Sequence, residues 1–198
     1  MTRVCIFCGA GVGRRHAYRA AAEEVGRELV RRGWGLVYGG GDRGLMGAVA
    51  GAVRSGGGEV VGIIPRGLVD VELAADEGLA EAHAELRVVS SMHERKALME
   101  EMADAFCVLP GGLGTLEELV EVLSWAQLGL HQKPIGLLDV EGYYQPLLRL
   151  LDHAVREGFL PPEHRQLLLV ETEPARLLDL LSRTRPPAVR RVISPEER

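Results

Sequence analysis

Two stretches of this sequence set side chains suited to chemistry beside backbone suited to holding an anion. In Met92-His93-Glu94-Arg95-Lys96 a guanidinium and an ammonium stand in the first turns of a helix, where cations do nothing for the helix itself. A fork of N–H donors and a compact positive charge there suit a phosphate or a polar ribose group; the plain alternative is a solvated face. Met92 and Lys96 share one helix face, Arg95 and Met99 another, so both methionines are expected to pack beneath the charges. In Pro110-Gly111-Gly112-Leu113-Gly114-Thr115-Leu116-Glu117-Glu118, three glycines within four positions let the backbone approach a ligand closely. The helix that follows aims N–H groups at the turn, which makes an anion site. Thr115 and Glu118 have capping-box spacing, so Glu118 is either a cap or a carboxylate at the rim of that site. A carboxylate there would stabilise positive charge or steer a water. Glu117, about 100° away around the helix, cannot face the same point equally. A third cluster, Gly39-Gly40-Gly41, reads as a second anion-facing loop, against the alternative of a tight turn that packs the helix from Leu45.

The elements that must position these residues alternate along the chain. Short apolar runs predict strands at Val4–Cys8, Leu36–Tyr38, Glu59–Ile64, Leu86–Val89, Ala105–Leu109, Pro134–Leu138 and Gln166–Val170. Between them, helical periodicity covers 14–32, 45–54, a segment opened by the capping pair Ser91 and Glu94, 115–128, 143–156 and 174–181. This order predicts an α/β protein: a three-layer, Rossmann-like fold with a mostly parallel central sheet flanked by helices, and ligand loops at the carboxyl ends of strands. The stretch 67–85 is acidic and without clear period, and reads as a loop with broken helix bordering the site. One domain is expected over residues 1–183, with 184–198 a flexible Arg-, Pro- and Glu-rich tail.

Several function classes are disfavoured. The start of the first loop, Gly9-Ala10-Gly11, follows a strand, but the third glycine of a dinucleotide fingerprint is replaced by Arg14, and no acidic residue ends the second strand. No Gly-Lys-Ser/Thr phosphate loop occurs. Cys5 and Cys8 lie three apart in a strand and so face opposite sides, which argues for core cysteines and not a metal or redox pair. Cys107 reads the same way. His16, His83, His131, His153 and His164 have no recognisable ligand spacing, and no metal or cofactor is expected. A net charge of −5 and an ordinary apolar content of 46% argue against nucleic acid as partner and against a membrane protein. With no signal-peptide pattern and an odd cysteine count, the cytoplasm is the expected location.

Taken together, Gly39-Gly40-Gly41-x-x-Gly44-Leu45-Met46-Gly47, Met92-His93-x-Arg95-Lys96 and Pro110-Gly111-Gly112-x-Gly114-Thr115-x-x-Glu118 resemble the Lonely Guy family of cytokinin riboside 5'-monophosphate phosphoribohydrolases, long mislabelled as lysine decarboxylases. The likeness runs from Cys5 to about Leu181. It implies a dimer that hydrolyses the N-glycosidic bond of N6-modified AMP, and often of AMP itself, to free base and ribose 5-phosphate. It also implies that Arg95 and Glu118 are a catalytic pair, that Gly112, Gly114 and Thr115 lie beside the phosphate, and that Lys96 belongs to the nucleotide site. Whether Arg95 serves the leaving base, the ribose or the phosphate stays open. The chain departs from the family at Ala10 and Gly11, where two serines are usual. The decarboxylase label lacks chemical support, since pyridoxal chemistry needs a Schiff-base lysine and Lys133 is remote from every motif. A competing expectation is a non-catalytic nucleotide carrier or sensor, related in fold to molybdenum-cofactor carriers.

Overall fold

A computed structural model describes residues 3–69 and 85–186. Seven strands form one sheet in the order β4-β3-β2-β1-β5-β6-β7, and every pairing is parallel. The strands are β1 (Arg3–Phe7), β2 (Gly35–Tyr38), β3 (Val60–Pro65), β4 (Glu85–Val89), β5 (Ala105–Val108), β6 (Ile135–Leu138) and β7 (Leu168–Glu171). The described α-helices are α1 (His16–Arg31), α2 (Gly44–Ser55), α3 (Met92–Met102), α4 (Leu113–Gln127), α5 (Gln145–Arg156), the single turn α6 (Pro162–Arg165) and α7 (Pro174–Arg183).

Continuous apolar runs become strands because both faces of the sheet are covered. Alternate residues of β1, with Cys8 just after it, divide between two cores: Val4, Ile6 and Cys8 pack with α1, α2 and α7, while Cys5 and Phe7 pack with α3, α4 and α5. Cys5 and Cys8 therefore do lie on opposite faces, and all three cysteines are buried free thiols. Each fully buried Val, Ile or Leu in these layers contributes about 1.5–3 kcal/mol of hydrophobic stabilisation. Burial of this kind on both faces is the reason a sheet of purely parallel strands is stable. Among the described residues no helix is long and apolar enough to cross a membrane.

The chain runs outward from β1 to β4, then crosses back so that β5 lies on the other side of β1, with Phe7 in register with Val108. This reversal beside β1 is the place where parallel sheets form a crevice at the carboxyl ends of their strands. The predicted loop over 67–85 falls almost wholly outside the described residues, as does most of the predicted tail; of the former, Arg66–Leu68 is a short 3-10 turn and Glu85 opens β4.

Candidate active site

Three loops meet in the crevice and are tied to one another. Gly9 N–H donates to the Pro110 carbonyl at 3.0 Å, and Leu45 N–H, at the start of α2, donates to the Gly9 carbonyl at 3.0 Å. The join is close enough that Gly44 has no alternative: its φ is +61°, and a Cβ there would lie 2.2 Å from the Ala10 carbonyl oxygen.

The loop after β5 turns directly into α4. Gly112 is the N-cap residue, and the first intrahelical bond runs from Leu116 N–H to the Gly112 carbonyl at 3.0 Å. The N–H groups of Leu113, Gly114 and Thr115 therefore precede the hydrogen-bond ladder, the usual condition for binding an anion. The expected capping box is absent here. Thr115 is the third helical residue instead of the cap, so Glu118 lies on the second turn, outside a capping box. Backbone glycine geometry takes the place of a capping hydroxyl, and Thr115 is buried, its Oγ1 only 2.1 Å from where a Cβ on Gly111 would stand. The other expected capping pair does form, displaced by one residue on one side. Ser91 Oγ accepts from Glu94 N–H at 3.1 Å, while Glu94 Oε2 accepts from the Ser90 N–H at 2.7 Å and the Ser90 hydroxyl at 2.5 Å. Those two Ser90 donors, the hydroxyl first, hold the Glu94 carboxyl below its ordinary range.

Arg95 and Glu118, on α3 and α4, line one cavity of about 220 Å³ together with Gly9, Gly39, Gly112, Gly114 and Thr115. Arg95 is 6% exposed. Its Nη2 donates to the Gly39 carbonyl at 3.1 Å, Nη1 meets the Met92 sulfur at 3.8 Å, and Nε is buried with no hydrogen-bond partner among the described residues. Guanidinium groups are seldom buried this way without an anionic partner. Cys8 also lines the cavity, and burial pushes its thiol well above the ordinary range, so it serves as apolar wall and not as nucleophile.

Not every expected site residue reaches this cavity. Gly39 does, and a Cβ on it would stand 1.8 Å from Arg95 Nη2. Gly40 has φ +80° and packs against Ile64 and Leu86, and Gly41 is buried in the same turn. Pro110 and Gly111 line a neighbouring cavity of about 400 Å³ that shares Gly9, Ala10 and Gly112 with the first. Ala10 and Gly11, where the family usually has serines, stand at this junction, and the space beside Gly11 is open. Lys96 points elsewhere: its Nζ pairs with Glu117 Oε1 at 2.5 Å and Glu121 Oε1 at 2.8 Å, bolting α3 to α4. Burial works against the ammonium, yet the two carboxylates outweigh it and the net shift is upward. Met99 packs in the core as expected, whereas Met92 is 42% exposed and its sulfur meets Arg95 Nη1. Glu117 and Glu118 do part, one to Lys96 and one to the cavity.

Sequence reasoning missed Tyr143, Tyr144 and Asp139, which approach the β5–α4 loop from the far side of β6. Tyr143 Oη donates to the Gly111 carbonyl at 2.5 Å and Tyr144 Oη to the Leu109 carbonyl at 2.7 Å. The adjacent pair Tyr143-Tyr144 after a strand was the available signal.

A parallel, doubly wound sheet whose switch point carries glycine loops, a helix N-terminus, a buried arginine and a carboxylate defines a Rossmann-type protein with a candidate ligand site at the carboxyl ends of its strands. Solved molybdenum-cofactor proteins share the fold. The binding protein of Rippkaea orientalis is 19% identical with TM-score 0.67, covering 91% of this chain and 95% of that one. The carrier protein of Chlamydomonas reinhardtii is 17% identical with TM-score 0.66, covering 92% and 99%. At such identity the likeness is one of fold alone. Sequence relatives are far nearer. A probable cytokinin riboside 5'-monophosphate phosphoribohydrolase of Oryza sativa subsp. japonica is 58% identical over 84% of this chain and 71% of its own. Cytokinin riboside 5'-monophosphate phosphoribohydrolases of the same plant and of Arabidopsis thaliana are 53% and 52% identical, each over 84% of this chain and over 67% and 75% of their own. A family model described as "Possible lysine decarboxylase" matches residues 46–181. The chain belongs to that family, in its Lonely Guy phosphoribohydrolase branch. The decarboxylase wording finds no lysine at the site: Lys96 is paired with two glutamates, and Lys133 Nζ lies 2.8 Å from Glu100 Oε1.

Proposed function

We propose that this protein hydrolyses the N-glycosidic bond of cytokinin riboside 5'-monophosphates, and of AMP as well, releasing free base and ribose 5-phosphate. The observation that carries the reading is the convergence of Arg95 and Glu118 on one cavity with Gly112, Gly114 and Thr115. The names of relatives at 52–58% identity support the same reaction.

In this scheme the 5'-phosphate sits on the N–H groups of the first turn of α4, where the helix dipole favours negative charge. Glu118 is four residues past Gly114, about 6 Å along the axis, which suits the span from a 5'-phosphate to the anomeric carbon. Cleavage passes through an oxocarbenium-like state. The Glu118 carboxylate stabilises that positive charge and orients or deprotonates the attacking water. Oxygen from that water bonds to the anomeric carbon as the C–N bond breaks, and its proton passes to Glu118; the departing base takes the bond's electron pair and a proton from solvent, to which Glu118 releases the one it gained. Arg95, across the cavity, supplies hydrogen bonds and positive charge; a guanidinium donates hydrogen bonds readily and protons poorly. Lys96 acts one step removed, holding α3 against α4 so that Arg95 and Glu118 keep their spacing. The active form is a homodimer acting in the cytoplasm.

Chromatography after incubation with isopentenyl-adenosine monophosphate or AMP tests the reading. Free base with ribose 5-phosphate is expected. Unchanged nucleotide that nonetheless binds would make the protein a carrier instead.

A further inference from the structure

The segment from Asp139 to Gln145, between β6 and α5, is built more tightly than a connection needs. Asp139 is 2% exposed; its Oδ1 accepts the Tyr144 N–H at 2.7 Å and its Oδ2 accepts Gln145 Nε2 at 2.6 Å. Glu141 holds a left-handed conformation at φ 50°, costly for a non-glycine residue, and pairs with Arg15 of the first loop at 2.7 Å. Tyr143 stands edge-on to Tyr18 at 5.6 Å and to Tyr144 at 4.8 Å. The product of this construction is a pair of tyrosine hydroxyls aimed at the backbone of the β5–α4 loop.

Every carbonyl of that loop is claimed. Leu109 accepts from Tyr144, Pro110 from Gly9 N–H, Gly111 from Tyr143, and Gly112 from Leu116 N–H. In a trans peptide the C=O and the following N–H point in opposite directions. A hydroxyl that captures the Gly111 carbonyl therefore turns the Gly112 N–H away from itself; Gly112 lines both the cavity of Arg95 and Glu118 and the one that Tyr143 borders. This peptide joins two glycines, which offer little steric resistance to a flip. A flipped peptide would present a carbonyl oxygen to an anion.

We propose that Tyr143 is a positioning residue for the phosphate cradle: its hydroxyl fixes the Gly111–Gly112 peptide so that the Gly112 N–H, like those of the first turn of α4, faces the 5'-phosphate. The inference rests on the phosphoribohydrolase reading for the identity of the anion, but its geometry does not depend on turnover. Tyr143 lines the neighbouring cavity and not the one that holds Arg95 and Glu118, so its action on the cradle runs through the loop.

The test is Tyr143→Phe, which keeps the ring and its packing. One lost hydrogen bond of ordinary strength predicts about a five- to tenfold rise in KM for the monophosphate, with kcat within about twofold. Affinity for ribose 5-phosphate should fall by the same factor, while affinity for ribose and for the unphosphorylated riboside stays unchanged. Tyr144→Phe is the comparison: it also strips a carbonyl of its donor, but beside Pro110, which has no N–H to aim, so it should lower Tm without selective loss of phosphate-bearing ligands. Wild-type affinity for ribose 5-phosphate in Tyr143→Phe, or equal weakening of phosphorylated and unphosphorylated ligands, overturns the proposal and leaves the reaction intact. If the wild type cleaves no nucleotide, the functional reading fails, and the ribose 5-phosphate affinities of wild type and variant still decide the role of Tyr143.

Discussion

Adding one methyl group at Gly39 should disable the enzyme without unfolding it. The Gly39 backbone lies outside the positive-φ region, so alanine meets no conformational penalty there; its Cβ, however, would stand 1.8 Å from Arg95 Nη2 and 3.0 Å from Cζ. An ordinary contact needs about 3.5 Å, so the guanidinium must retreat by about 1.7 Å and give up its bond to the Gly39 carbonyl. The cavity beside it provides room for that retreat, which places the folding cost near the low end of overpacking, about 1 kcal/mol, or ~2–4 °C in Tm. Displacing a reacting group by about 1 Å can cost ~100-fold in rate. Gly39→Ala should therefore lose about 100-fold in kcat/KM on isopentenyl-adenosine monophosphate, equivalent to ~2.7 kcal/mol of transition-state stabilisation. Base release followed by chromatography, beside a thermal melt, reads both quantities. A folded Gly39→Ala protein with near wild-type kcat/KM would refute the claim that the position of Arg95 matters to the reaction.

Two further perturbations separate stability from activity. At Gly114, the second residue of α4, a Cβ would meet nothing within 4 Å; Gly114→Ala should raise helix stability by up to ~1 kcal/mol while its methyl intrudes on the phosphate and lowers kcat/KM by about tenfold. A variant that is both more stable and fully active would move the phosphate elsewhere. On the alkaline side, burial pushes the Tyr38 hydroxyl and the Cys107 thiol each up to about 12, from ordinary values of 10.0 and 9.0. Since the folded chain holds these protons more tightly than the unfolded one, this contribution to stability is complete below pH ~9 and is lost progressively from there to pH ~12. Melting temperature should be level from pH 7 to 8.5 and fall above pH 9; a level profile to pH 11 would contradict the burial of these groups.

Much of this architecture was legible because it is local. Seven apolar runs became seven strands, since a strand covered on both faces needs little more than β-branched and apolar residues in sequence. Glycine spacing singled out Gly39, Gly112 and Gly114, misplaced charge Arg95, and capping-box spacing Thr115 and Glu118, while only the family resemblance paired Arg95 with Glu118; the structure brings all six to one cavity. What escaped was long-range or purely backbone in origin. Thr115 looked like a cap by residue type, but Gly112 caps α4 with no side chain at all. Lys96 looked like a ligand because its partners, Glu117 and Glu121, lie more than twenty residues away on another helix. The tyrosines of the β6–α5 loop carry no local mark of their targets, since Leu109 and Gly111 are brought to them only by the pairing of β5 with β6. The four-residue helix α6 is too short for periodicity to reveal.

In the proposed reaction a carboxylate on the second turn of α4 carries the chemistry of a phosphate-anchored substrate. Glu118→Gln tests it most directly, because the amide keeps the size and shape of the side chain but has neither the charge nor the basicity. Measured by release of free base under single-turnover conditions, the rate should fall by about 100-fold or more while ribose 5-phosphate binds as in the wild type. A Glu118→Gln protein that releases base at close to the wild-type rate would remove Glu118 from the mechanism.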